Sequence, residues 1–321
     1  MAIIPQTSLF SWEDVEDLGD LDRLRLVLDY LPDEELVREW EQQRGKGRDD
    51  YPVRAVWNAI LAGVVFQHDT VAELIRELKR NGELCWLCGF EGKRQVPESW
   101  VFSRMMKRIL HSQEQIDAMF DELVRQLQEA LPDFGKNLAV DSKAIQSFAK
   151  NPNKNKTPDG RRDTDADHGK KVYKGKKKDG SMWEKIVTWF GYKIHLVVDA
   201  DYELPVAYSV TKASVHDVTE GHRLLEQMEK RQPKLLKVAE TLEADRGYDD
   251  TKLIKKAWDQ YKIKPVIDIR NMWKGNDETR LLEGYHNVAH DYKGTVYCYC
   301  PETGKRREMA NGGFEKDRMA L

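Results

Sequence analysis

Two short apolar runs that each end in an aspartate most constrain what this chain can fold into. Leu138-Ala-Val-Asp141 and Thr241-Leu-Glu-Ala-Asp245 have the length and composition of strands buried in a sheet. The other predicted elements of this half alternate between strand and helix, and they cover residues 189–199, 204–210, 218–231, 251–261 and 264–269. A hairpin followed by strands with helical crossovers predicts an α/β fold, with a mixed sheet flanked by helices.

The two aspartates fall where chemistry is expected in such a fold. Ligands of open α/β sheets bind at the carboxyl ends of the strands, and Asp141 and Asp245 each follow a strand core. Two carboxylates at neighbouring strand ends repel each other unless they share a cation or a proton. Because hard oxygen ligands suit Mg²⁺ or Mn²⁺, the pair predicts a divalent metal site.

The first 131 residues predict helices only. Leucines 21, 24, 28 and 31 recur at helical spacing until Pro32, and Thr70-Val-Ala-Glu73 has the form of a capping box. Further helices are predicted over 53–66, 99–110 and 113–131. Short helices followed by a basic one favour a helix-turn-helix-like module, and an ordinary bundle with a basic surface is the alternative. The residues that would face DNA are Ser99, Ser103, Arg104, Lys107 and Arg108.

The net charge of −3 conceals strong local polarity. Residues 1–50 hold fourteen acids against six bases, and residues 150–180 hold eleven bases against five acids. The basic stretch is either a solvated loop or an arm that contacts the phosphates of a nucleic acid. Its candidate DNA-binding residues are Lys170, Lys171, Lys174, Lys176, Lys177 and Lys178.

The rest of the composition points to a cytosolic protein. No run of 18 apolar residues predicts a membrane span, and the acidic N-terminus has no secretory leader pattern. Cys85 and Cys88 lie in an apolar setting, and Cys298 and Cys300 form a CxC pair. We expect reduced, buried thiols here; a zinc or redox site is the alternative.

Four motifs of the second half, in their order and spacing, resemble the DDE transposases of bacterial insertion sequences; they are LAVDSKAI, GYKIHLVVDA, ASVHD and EADRGYDD. The catalytic domain of those transposases has a ribonuclease-H-like fold. Three segments of the first half resemble the helical domain that precedes the catalytic domain in those transposases; they are YPVRAVWNAILAGVVFQ, LCGF and PESWVFSRMMKRI. We therefore divide the chain into an acidic helical segment (1–50), a helical domain (51–131) and a catalytic domain (135–321). The last of these would contain the basic loop 150–180 and the start of a small β insertion at its C-terminus.

The resemblance implies a function and roles for the two acids. Asp141 matches the first catalytic aspartate and Asp245 the second, and both would bind Mg²⁺ or Mn²⁺. Such a protein binds the terminal inverted repeats of its element and catalyses strand cleavage and transfer. It would act on double-stranded DNA, as a homodimer in the active complex, in the bacterial cytoplasm at the nucleoid. Asp217 of ASVHD is expected to be a helix N-cap, and His195 to be structural.

The third acid of the resembled family is a glutamate on a helix beyond a β-rich insertion. Residues 294–300 look like that insertion and 301–304 like its turn, and the candidates Glu283, Glu308 and Glu315 have no helical setting. We therefore expect a C-terminally truncated chain whose activity suffers from the missing acid. The alternatives are a non-catalytic DNA-binding remnant that inhibits transposition, and a host ribonuclease-H-like nuclease.

Overall fold

The chain folds into two compact units, Met1–Ala130 and Leu131–Leu321. The computed structural model describes residues 19–44, 51–149, 163–177, 181–274 and 277–310. The first unit is helical and the second is built on β-sheets, as the sequence predicts. None of the helices in these ranges is long and apolar enough to cross a membrane.

Every helical segment predicted for the first unit is present, and two described helices, over residues 34–44 and 82–87, were not predicted. The helices are α1 (Asp20–Tyr30), α2 (Glu34–Arg44), α3 (Val53–Val65), α4 (Val71–Arg80), α5 (Gly82–Leu87), α6 (Ser99–His111) and α7 (Gln113–Ala130). The predicted capping box opens α4. The Thr70 hydroxyl accepts a hydrogen bond from the Glu73 amide, and the Glu73 carboxylate accepts one from the Thr70 amide, both at 3.2 Å.

One apolar core joins the acidic helices α1 and α2 to the rest of this unit. Leu24 and Trp40 lie in the same buried cluster as Trp57 and Phe102. A buried carboxylate strengthens the connection, because Asp33 accepts hydrogen bonds of 2.6 Å from both Trp57 Nε1 and Arg54 Nη1. The division of the sequence into a separate segment 1–50 and a domain 51–131 is therefore corrected, since the described helices of both share a core.

Cys85 and Cys88 are buried in this core as free thiols, as expected. Burial raises the pKa of Cys85, and burial together with the neighbouring Cys85 raises that of Cys88 to about 12. Both side chains therefore remain protonated at neutral pH. Cys298 and Cys300 are also free but only half-buried.

The main sheet of the second unit has six strands. They are β1 (Asn137–Gln146), β2 (Asp167–Lys176), β3 (Met182–Asp199), β4 (Leu204–Lys212), β5 (Thr241–Ala244) and β6 (Lys264–Ile267). The second half of β3 pairs antiparallel with both β1 and β4, which confirms the predicted hairpin. On its other side β1 pairs parallel with β5, and β5 pairs parallel with β6. The sheet is mixed because the later strands are reached by helical crossovers.

Helices cover this sheet. They are α8 (Asp217–Arg231), α9 (Pro233–Val238) and α10 (Thr251–Lys255), which runs on into a π-helical turn over Lys256–Gln260. Helix α8 packs against β1, β3 and β4 and buries Leu224, Leu225 and Met228. The fold class is the predicted one, an α/β unit of ribonuclease-H-like architecture behind N-terminal helices.

The prediction of a basic loop over residues 150–180 is wrong for its second half. Residues 167–176 form β2, which pairs antiparallel with the first half of β3. Lysines occupy both faces of this strand and hide the alternation by which a half-buried strand is recognised. Residues 150–162 and 178–180, including Lys178, lie outside the described part of the chain.

A second, small antiparallel sheet follows. Its strands are β7 (Arg280–Leu281), β8 (Val288–His290), β9 (Val296–Tyr299) and β10 (Arg306–Glu308), in the order β10-β9-β8-β7. The turn between β9 and β10 contains residues 301–304, as predicted from the sequence. This sheet follows β6, in the part of the chain where the sequence indicates a small β insertion.

The capping box of α4 gives a first prediction. Replacing Thr70 with Ala removes the hydroxyl that accepts from the Glu73 amide, and should lower the free energy of unfolding by about 1 kcal/mol. Thr70→Ser keeps an oxygen at that position and should behave as the unsubstituted chain. Chemical denaturation of the three proteins measures the difference, and equal effects of Ala and Ser would contradict the role of the cap.

Candidate active site

The pairing of β1 with β5 brings Asp141 and Asp245 together. Val140 and Ala244 are the last paired residues of these parallel strands, so the two aspartates follow side by side at the point where the strands part. Asp141 is not at the end of its own strand, because β1 continues to Gln146 along β3. The sequence predicts that β1 ends at Asp141, but this is only the point where β1 stops pairing with β5.

Backbone amides orient both carboxylates. Asp141 Oδ1 accepts a hydrogen bond of 2.6 Å from the Ser142 amide, and Asp245 Oδ1 accepts one of 2.7 Å from the Gly247 amide. A side chain at position 247 would place its Cβ 2.6 Å from Asp245 Oδ1, so any residue larger than glycine would displace this carboxylate. Both aspartates are exposed, and neither forms an ion pair within the described ranges.

Tyr248 is buried close enough to the two acids to feel their charges. The turn Arg246–Tyr248 folds back from Asp245, and the Tyr248 side chain is only 1% exposed. Gly221 of α8 leaves room for the ring, because a Cβ there would lie 3.2 Å from it. Burial, followed by the charges of Asp217, Asp141 and Asp245, raises the pKa of Tyr248, so the phenol stays protonated. The ring thus ties the turn after Asp245 to α8.

A buried polar cluster supports β1 from the α8 side. Lys193 Nζ donates to the Val215 carbonyl at 2.7 Å and to Asp217 Oδ1 at 2.9 Å. His195 is fully buried, with Nε2 2.9 Å from Thr211 Oγ1 and Nδ1 3.9 Å from Asp217 Oδ1. His195 is paired across the sheet with Ser142, the residue after Asp141. The cluster therefore fixes the backbone next to the first acid.

The charges of this cluster follow from its contacts. Burial acts to raise the pKa of Asp217, but the hydrogen bond and charge of Lys193 outweigh it and hold that pKa below its ordinary value. Burial lowers the pKa of His195, which is therefore neutral at pH 7. The expected N-cap role of Asp217 is wrong: His216 is the N-cap, and the Asp217 side chain binds Lys193 instead.

A third aspartate, Asp268, follows the neighbouring strand β6 at the same level of the sheet. Ile267 of β6 is paired with Ala244, so Asp268 follows β6 as Asp245 follows β5. Its carboxylate is ion-paired with Arg246, whose Nε lies 2.9 Å from Asp268 Oδ2. Arg270 then donates to the carbonyls of Arg246 and Gly247 at 2.6 and 2.8 Å. These contacts, which the sequence analysis missed, hold the turn after Asp245 against β6.

The donor set fits a hard cation only in part. Asp141 and Asp245 offer two neighbouring carboxylates, the kind of ligand that Mg²⁺ takes together with water and phosphate oxygens. Within the described ranges, no three Asp, Glu, His or Cys side chains are grouped to hold a metal. Of the candidate third acids, Glu283 lies in a turn, Glu308 lies in β10, and Glu315 falls outside the described residues.

The residues predicted to bind DNA fall on two surfaces. On α6, Arg104 and Lys107 are exposed and Arg108 is half-buried, while Phe102 and Met105 face the core. The Arg104 guanidinium lies over the ring of the half-exposed Trp100, 4.7 Å from its centroid. In the second unit, the strand β2 carries Lys170, Lys171, Lys174 and Lys176, and Lys177 follows it.

Models of two transposase domain families match this chain, one in each unit. The family model described as Transposase DDE domain matches residues 135–310, which is more than half of the 321 residues. The model described as Transposase domain (DUF772) matches residues 11–108. A comparison with curated proteins finds no match, and neither does one with solved structures.

The Lys193–Asp217 pair gives a prediction about stability and pH. Lys193→Met leaves the Asp217 carboxylate unpaired in a largely buried position, which should cost roughly 3 kcal/mol of stability at pH 7. Because pairing lowers the pKa of Asp217 in the folded state, its stabilisation is complete above the ordinary aspartate pKa and is lost as pH falls through the lowered one. The difference from the unsubstituted chain should therefore shrink below about pH 4.

Thermal unfolding from pH 7 down to pH 3 measures this difference. Lys212→Met, at an exposed lysine of β4, is the matched control and should shift the midpoint little at any pH. A Lys193→Met effect that is the same at every pH would show that lost packing, not the charge pair, is responsible.

Proposed function

Because this chain belongs to the family of transposases with a DDE domain, we propose that it binds the terminal inverted repeats of a bacterial insertion sequence and cleaves and transfers DNA strands there. One observation carries the proposal. Asp141 and Asp245, the residues that resemble the first two family aspartates, are neighbours across paired strands and are open to solvent. Such a pair suits metal-assisted attack on a phosphodiester.

The residues of the chain would prepare the site in three ways. Asp141 and Asp245 would hold Mg²⁺ or Mn²⁺, which when bound lowers the pKa of an attacking water or 3′-hydroxyl and stabilises the leaving oxygen. The amides of Ser142 and Gly247 fix the two carboxylates before substrate arrives. Asp268 and Arg270 hold the turn that carries Asp245, so the spacing of the acids is set by the sheet and not by a mobile loop.

The partner in this proposal is double-stranded DNA. The exposed Arg104 and Lys107 of α6 and the lysines of β2 would contact its phosphates, because such contacts release condensed counterions. Joining two element ends requires two active sites, so the active complex would be a homodimer. The protein would work in the bacterial cytoplasm, at the nucleoid, where its substrate lies.

A second candidate function rests on a specific observation. Asp268 is ion-paired with Arg246, and no third carboxylate of the described ranges is grouped with Asp141 and Asp245, so a second metal ion would lack an anchoring ligand. The chain would then bind element ends without cutting them and compete with an active transposase. Sequence-specific binding without cleavage in Mg²⁺ or Mn²⁺ would favour this inhibitor over the enzyme.

Replacement of the two aspartates tests the enzymatic proposal. Asp245→Asn and Asp141→Asn should each abolish metal-dependent nicking of duplexes that carry the element ends and their flanks, because the amide is a poor ligand for a hard cation. DNA binding should be retained, as measured by electrophoretic mobility shift. Asp259→Asn, at an exposed acid of the π-helical turn, is the control and should cleave normally. Full cleavage by Asp245→Asn would refute the assignment.

A further inference from the structure

A two-stranded ribbon extends the main sheet on one side. We define the ribbon as residues 167–176 of β2 and 182–191 of β3, which are paired from Asp167 with Gly191 to Lys176 with Met182. Ten residues of strand span about 33 Å. Within the described ranges, the only strand that pairs with β2 is β3. The ribbon is therefore a hairpin-like arm that no further strand of the described residues extends.

Both faces of the ribbon expose apolar side chains. On one face Val172 and Ile186 are directly paired, and they are 43% and 51% exposed. On the other face Tyr173, Trp183 and Val187 are between 38% and 47% exposed. An isolated two-stranded ribbon is marginally stable in water, and contiguous exposed apolar groups mark interaction surfaces. This arm is therefore built to be covered by a partner.

Two glycine–tryptophan pairs stiffen the ribbon in place of a core. Gly169 is paired with Trp189 and Gly175 with Trp183. A Cβ at Gly169 would lie 2.3 Å from Trp189 Cζ2, and one at Gly175 would lie 2.4 Å from Trp183 Nε1. Each indole thus lies across the opposite strand in space that only glycine leaves free. Such cross-strand pairs stabilise a sheet from one side and set its register.

The charge of the ribbon selects the class of partner. Its sequence holds five lysines, at positions 170, 171, 174, 176 and 185, against two acids, Asp167 and Glu184. A second copy of the same arm would bring like charges together, whereas a polyanion would not. The major groove of B-form DNA, about 12 Å wide, accommodates a two-stranded β-ribbon between two rows of phosphates.

We propose that the ribbon is a DNA-binding arm that enters the major groove of a duplex. Lys170, Lys171 and Lys185 contact phosphates on the groove walls, and the paired Val172 and Ile186 lie against the base edges. This inference rests on the proposed function and deepens it, because it names the element that holds the duplex outside the Asp141–Asp245 site. The arm needs neither aspartate nor metal to bind.

Two ribbon variants separate charge from apolar contact. Lys170→Gln/Lys171→Gln should weaken binding of a fluorescent 30-base-pair random duplex about tenfold and reduce the slope of log K against log salt by about 2. Val172→Ser/Ile186→Ser should weaken binding without changing that slope. Lys252→Gln/Lys255→Gln, at exposed lysines of α10, is the matched charge control and should bind as the unsubstituted chain. Circular dichroism checks that each variant is folded.

Methylation interference identifies the groove. Methyl groups at guanine N7, in the major groove, should block binding, and methyl groups at adenine N3, in the minor groove, should not. Interference at adenine N3 alone overturns the proposed docking. Light scattering of Val172→Ser/Ile186→Ser tests the competing occupant, since a loss of dimer with unchanged DNA affinity would show that the ribbon binds a second copy.

The inference and the proposed function fail in different ways. If the ribbon variants bind DNA normally while cleavage still depends on Asp245, the ribbon proposal and the phosphate contacts of the β2 lysines are wrong, and the proposed cleavage of DNA at Asp141 and Asp245 stands. If the unsubstituted chain binds no duplex at any salt concentration, the proposed function itself is wrong.

Discussion

The parallel pairing of β1 with β5 is the constraint on which the second unit depends. Leu138 and Leu242 are paired and fully buried, and each is followed three residues later by one of the two aspartates. A slip of one residue between the strands would send one of the two aspartates to the opposite face of the sheet. Burial of the leucines therefore specifies the register, and the register specifies the distance between Asp141 and Asp245.

Polar groups on the buried face of β3 hold the sheet to its surroundings. Lys193, His195 and Asp199 alternate along this strand, and each is buried. Asp199 accepts hydrogen bonds from the amides of Gly135, Asp201 and Tyr202. Since an unsatisfied buried polar group costs more than its hydrogen bond stabilises, these contacts favour one arrangement over other compact ones. The acids on β1 and β5 rest on a layer that is both packed and hydrogen-bonded.

Patterns among neighbouring residues predicted most of the helices and strands. The predictions failed for features that depend on contacts between strands distant in the sequence. The Thr70 capping box and the strand hairpin of β3 and β4 depend on neighbouring residues, so the sequence was sufficient. The strand β2 was missed because lysines conceal its period. Asp268 carried the same pattern as Asp245, an apolar strand ending in an acid, but only the pairing of β5 with β6 shows that they are adjacent. The partner of Asp217 is likewise a residue of another strand.

Strand β3 belongs both to the ribbon and to the main sheet, and Gly191 lies where the two meet. Its φ of 149° and the 2.2 Å that would separate a Cβ from the Ile145 carbonyl leave room for glycine alone. Since the peptide chain is continuous and hydrogen-bonded on both sides of this residue, the ribbon cannot swing freely like a tethered domain. Because β3 runs without a break from the ribbon into the main sheet, a displacement of the ribbon would also move the backbone at His195 and at its partner Ser142.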